Sequence, residues 1–188
     1  MRLIVLFLGV AAFAQTPAPR VPNAGLEPAW DMSVVVQEIG NNASFLLPVL
    51  DKFDAGAWVA KGASGTFVEQ LESSRQQARA VASEAQALAR NPEKLSAALQ
   101  LFFRLQGLET MLSTLESGAR KYQSTELAQS LAALFGEGGT NRERFRGYIV
   151  NLAAERENQF EVMDREAQRC RGTLMAPQPP PKATGRKQ

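Results

Sequence analysis

The chain has 188 residues, with 21 Lys and Arg against 19 Asp and Glu, one Cys and no His, for a formal charge of +2. The missing His excludes a Ser-His-Asp triad, a Cys-His pair and a His-ligated metal. The single Cys excludes an intrachain disulfide, a Cys-ligated zinc and an iron–sulfur site, and the length suits one domain with a real core.

The chain opens on Met1 and Arg2, an apolar run from Leu3 to Phe13, and Ala12-Phe13-Ala14 ahead of Gln15. A positive start, a short apolar stretch and small residues at −3 and −1 are the order of a secretory signal peptide, placed here at residues 1–14. The run of 11 residues falls short of the ~20 that a transmembrane helix needs, so no transmembrane span is expected. No Cys follows the run to carry a lipid. Residues 15–26 hold three Pro and read as an extended linker.

From residue 27 to 172 the chain is rich in Ala, Leu, Glu, Gln and Arg, all good helix formers. A first helix is predicted at about 28–53. Met32, Val35, Ile39, Asn42, Leu46, Val49 and Phe53 fall at three- and four-residue steps and share a face. Pro48 and Gly40-Asn41-Asn42 are weak points, which fit either a kink or two short helices. Residues 54–65 carry three Gly and no sustained period, and read as a connection. A second helix at 66–90 has the stripe Leu71, Ser74, Ala78, Val81, Ala85 and Leu88, small enough for a neighbouring helix to come close.

Asn91-Pro92-Glu93 reads as an N-cap, a first helical position and an acidic first turn. The third helix, to about 120, carries the heaviest apolar stripe: Leu95, Ala98, Phe102, Leu105, Leu108, Leu112 and Leu115. Leu99, Leu101 and Phe103 widen it, and Gly107 would allow a close crossing. Ser124 can cap a short helix to about 135, ended by Gly136-Glu-Gly-Gly139. Thr140-Asn-Arg-Glu143 has the form of a capping box for a last helix to about 171, closed by Gly172. Its inner side is predicted as Phe145, Ile149, Leu152, Phe160, Met163, Ala167 and Cys170. Cys170 then reads as a small buried residue rather than a handle for an intermolecular bond. Residues 173–188 read as a disordered tail, with the Pro-rich stretch 177–181 and a basic tip at Lys182, Arg186 and Lys187. The fold class expected is all-α: an up-and-down helical bundle of four principal helices plus one short helix.

Catalytic chemistry finds little purchase. The acids of the last helix alternate with Arg156, Arg165, Arg169 and Arg171 and read as a solvated charged face. A carboxylate-bridged dimetal site normally draws on Glu-x-x-His motifs, and there is no His. A carboxylate-only hydrolase would need two acids converging from different helices. Asn42, on an apolar stripe, is either a ligand contact or a register-fixing buried amide, the second preferred. Trp58, in the connection, either lines a ligand mouth or plugs the bundle end, the second preferred. No catalytic, cofactor-binding or metal-binding residue is assigned, and no cofactor is expected. Nucleic acid is not an expected partner, because Glu143 interrupts the basic run Arg142, Arg144 and Arg146.

Segment by segment, the positive charge changes meaning. The helical part, 27–172, holds 16 Lys and Arg against all 19 acids, a net −3. The basic surplus lies in the tails, so the tip is where an anionic envelope surface would be met. The expected function is therefore an exported, periplasmic or extracellular bundle without enzymatic activity, acting as an interaction or scaffold module of the cell envelope. The alternative is a carrier or sensor of an apolar small ligand held between helices.

Overall fold

A computed structural model describes residues 26–175, and it is all-α. In chain order the helices are α1 Ala29–Leu50, α2 Ala55–Ala60, α3 Thr66–Ala89, α4 Leu95–Tyr122, α5 Thr125–Glu137 and α6 Gly139–Met175. Among the described residues there is no strand. The four principal helices are α1, α3, α4 and α6. The short helix is α5, and α2 is an additional helix within the expected connection.

α1 and α3 form the most extensive pair, running antiparallel: Ser33 Oγ donates to the Ala89 carbonyl at one end, and Arg75 Nη2 donates to the Leu50 carbonyl at the other. The small face of α3 makes this possible. A Cβ on Gly40 would sit 3.0 Å from the Ala85 Cβ, so the helices pack nearly backbone to backbone. Every residue of the stripe Leu71, Ser74, Ala78, Val81, Ala85 and Leu88 is buried, as its period requires.

α4 returns alongside α3, held at mid-length by Arg104, which pairs with Glu84 at 2.8 Å and donates to Gln77. The fourth corner is shared: α5 and the first half of α6 both pack on α1 and α4. The result is up-down-up-down, with short links between antiparallel neighbours. Its core runs through Met32, Val36, Leu46, Leu101, Leu108, Leu115, Leu131, Phe145 and Leu152, all at most 1 % exposed.

Several local expectations are corrected. Of the two alternatives at Gly40-Asn41-Asn42 and Pro48, two short helices are excluded: α1 is one helix from Ala29 to Leu50. Pro48 is on the exposed face, so the Ser44 carbonyl that loses its amide partner also lies on an exposed residue, open to solvent. The segment 55–60 is helical because the Asp54 carboxylate accepts from the Ala57 amide at 2.9 Å, an N-cap hidden among glycines. Asn91-Pro92-Glu93 forms a turn, with Lys94 N–H donating to the Asn91 carbonyl, and α4 begins only at Leu95. Ser124 does cap α5, accepting from the Leu127 amide. Thr140 is not a cap: α6 begins at Gly139, and the Arg142 amide already donates to the Gly138 carbonyl. Gly107 and Phe103 face solvent rather than a crossing helix.

The largest correction concerns α6. Phe145, Tyr148, Ile149 and Leu152 are buried, but every residue from Glu157 to Met175 is exposed, and Gly172 lies within the helix rather than beyond it. At 1.5 Å per residue, α6 is ~55 Å long and α1 only ~33 Å. The apolar period continues after the neighbours have ended, so Phe160, Met163, Ala167 and Cys170 are not core. α6 leaves the bundle beside the α3–α4 turn, where Arg156 Nη2 lies 3.5 Å from the Glu93 carboxylate.

Candidate functional site

The two candidate residues within the described region lie apart, and each is engaged by its neighbours. Trp58 is fully buried at the end of the bundle where α1 stops and α4 ends. Its ring stands 5.8 Å from Phe53 and 5.4 Å from Phe67, and Phe67 in turn stands 6.3 Å from Tyr122. Its indole N–H donates to Gln123 Oε1 at 2.8 Å. The same oxygen accepts from the Asp54 amide, and Gln123 Nε2 donates to the Lys52 carbonyl. Trp58 thus closes this end of the bundle, and one amide at the end of α4 satisfies two groups of the α1–α2 connection and one of α2. Gln123 has no signal in the sequence, because it is one polar residue among several after a helix.

Asn42 lies at mid-bundle. Its Nδ2 donates to the Leu134 carbonyl at 2.8 Å, and Arg142 Nη1 donates to the next carbonyl, Phe135, at 2.7 Å. These are end carbonyls of α5, which have no partner within their own helix. The Arg142 guanidinium stacks 3.7 Å from the Phe135 ring centre. Desolvation pulls its pKa down, while Glu109 pulls it up. Asn42, half-buried rather than fully buried, thus joins α1 to the corner where α5 gives way to α6. In the sequence Arg142 is one member of a basic run with Arg144 and Arg146. Its partner is a main-chain carbonyl, which sequence does not display.

At the opposite end Arg144 Nη2 pairs with Glu27 at 2.8 Å and also with Asp31. The Glu27 hydrogen bond is the largest of the causes that raise its pKa. Nearby, Tyr148 is 1 % exposed, and its hydroxyl has no hydrogen-bond partner. Burial raises its pKa first, and Glu93 adds to this against Arg156.

The space between helices is small. The gap lined by Ile39, Ala43, Leu105, Leu108 and Phe135 holds about 10 Å³, against the ~300 Å³ of a small-ligand pocket. Larger volumes lie at the surface. One open groove of about 390 Å³ runs along Phe102, Gln106, Glu109, Arg142 and Arg146. Another of about 400 Å³ is lined by Gln37, Asn41, Ser44, Ser83 and Gln86. Among the described residues no three acidic or Cys side chains gather as a metal site, and no helix is long and apolar enough to cross a membrane.

Cys170 is exposed, correcting its expected burial. Lys182, Arg186 and Lys187 lie outside the described residues, as do the segments read as a signal peptide, most of the linker and all of the tail past Met175. No protein-family model matches the chain, and no curated protein or solved structure matches it either.

Proposed function

We propose that this chain is an exported helical bundle without catalytic activity that acts through its surfaces, as an interaction or scaffold module of the cell envelope. The observation that carries this reading is the free length of α6. From Glu157 to Met175 every residue is exposed, including Phe160 at 76 % and Met163 at 67 %. Large apolar side chains held in solvent along a projecting helix suit a partner surface better than an internal site. The use of the polar groups supports the same reading. Asn42, Trp58, Gln123 and Arg142 each bind a neighbouring segment, so their chemistry is structural.

Export rests on the order of residues 1–14. The basic tip, Lys182, Arg186 and Lys187, follows the free helix in the chain, and its proposed partner is an anionic envelope surface. Co-sedimentation with anionic and neutral lipid vesicles, at low and high salt, tests this. The full chain should bind the anionic vesicles in a salt-sensitive way. A chain ending at Met175 should bind several-fold less, with an unchanged melting curve. Equal binding by the two chains would overturn the role of the tip. Turnover of a small substrate by the purified monomer would overturn the non-enzymatic reading.

A further inference from the structure

We propose that the free length of α6 pairs with the same segment of a second copy of this chain, the two helices running antiparallel. Residues 157–175 form ~28 Å of helix with no covering neighbour among the described residues. An unsupported helix of this length is marginal in water, because most helical stability comes from packing an apolar face. Ion pairs within the segment, such as Arg169 with Glu166 at 2.9 Å, each add only a few tenths of a kcal/mol. An apolar face is nonetheless present. Phe160, Met163, Ala167, Cys170 and Leu174 follow each other at steps of three, four, three and four residues, the a/d seam of a coiled coil.

Two observations choose the occupant and its direction. The first is position. Successive steps of three or four residues lead from Phe145 through Ile149, Leu152 and Arg156 to Phe160, so the seam lies on the side of α6 that its own bundle covers. A parallel pair would drive two bundles into the same space. An antiparallel pair sets them at opposite ends. The second is charge. Residues 155–164 hold four acids and one Arg, a net −3, whereas residues 165–175 hold three Arg and one Glu, a net +2. Antiparallel pairing lays the acidic base of one helix along the basic end of the other, and parallel pairing lays like on like. The whole segment 155–175 nets −1, which favours a protein partner over an anionic membrane for this stretch. A seam of two heptads buries less than the ~1,600 Å² of a standard interface, so the dimer should be concentration-dependent.

Sedimentation equilibrium of the full chain, from about 1 μM to about 200 μM, tests the proposal. A monomer–dimer equilibrium is expected. The double substitution Phe160→Glu/Met163→Glu should raise its dissociation constant at least ~10-fold with an unchanged melting midpoint at about 1 μM, where both chains are monomeric, since both side chains are exposed in the single chain. Direction is tested separately. An antiparallel seam puts Phe160 opposite Cys170 of the second copy, with the two native thiols ~15 Å apart, beyond disulfide reach. Under mild oxidant, Phe160→Cys should therefore give an interchain bond from the introduced thiol to Cys170, and the native chain should give none. Three results would overturn the proposal: a monomer at every concentration, a ready Cys170–Cys170 dimer of the native chain, or a double substitution that instead abolishes binding to anionic vesicles by a monomer.

Discussion

The Trp58 indole N–H donates to Gln123 Oε1 at 2.8 Å, tying α2 to the residue that ends α4. Gln123→Ala leaves that buried donor unpaired and also releases the Asp54 amide and the Lys52 carbonyl. A loss of about 1–3 kcal/mol is expected. Trp30 is 73 % exposed and Trp58 fully buried, so in a Trp30→Phe background the emission reports the plug alone. Denaturant titration followed by that emission should show an earlier midpoint and, before unfolding, a red-shifted band.

Gly118 and Gly107 predict opposite outcomes on one helix. A Cβ at Gly118 would stand 2.7 Å from Trp58 Cζ3 and 2.8 Å from Phe67 Cε1, whereas one at Gly107 meets nothing within 4 Å. Gly118→Ala should destabilise by about 1–3 kcal/mol through overpacking of the aromatic cluster. Gly107→Ala should stabilise by about 0.5–1 kcal/mol, since it only removes a glycine from a helix. Both are read from urea midpoints.

The sequence expected a tightly packed glycine of α4 at Gly107, and the reason the tight position is Gly118, under the aromatic rings, shows what was legible. The stripes of α3 and α4 are periodic, and burial follows period: all six residues of the α3 stripe are core. Which end of a stripe meets a bulky neighbour depends on where Trp58 folds, and that is set by the Asp54 cap and Gln123, which carry no period. The same limit applies to α6. Phe160 and Met163 continue the pattern of Phe145 and Ile149, but a repeat does not reveal where α1, α3 and α4 run out. Of the candidate residues, Asn42 and Trp58 were legible as polar or aromatic exceptions; the structure places Trp58 in the core and Asn42, half-buried, against the Leu134 carbonyl. Gln123 and Arg142 were not legible as locks, because their partners are main-chain groups or a distant indole.

Asn42→Ala removes a partner from the Leu134 carbonyl at the corner where α5 ends. A loss of about 1–2 kcal/mol is expected. Hydrogen exchange should place the change in α5 and the start of α6, with the aromatic end of the bundle unaltered. Uniform loss of protection would show that the bond does not act locally.

Tyr148 carries a pH prediction. Its folded pKa lies above the ordinary 10.0, mainly because burial penalises the phenolate. The unfolded chain ionises first, so this contribution is intact below pH ~10 and fades as pH rises towards the folded value. Tyr148→Phe removes both the ionisation and an unpaired buried hydroxyl. It should match or exceed native stability at neutral pH by up to ~1 kcal/mol and should flatten the alkaline loss. Thermal melts from pH 7 to 11 check both.

The sharpest test of a bundle that folds by itself and presents α6 to partners is truncation after Arg156, compared with the full chain in thermal melts and in sedimentation. The truncated chain should melt within ~2 °C of the full chain, because every residue removed from the described region is exposed, and it should no longer self-associate or bind anionic vesicles. A collapse of the melting transition, or undiminished association without residues 157–188, would contradict it.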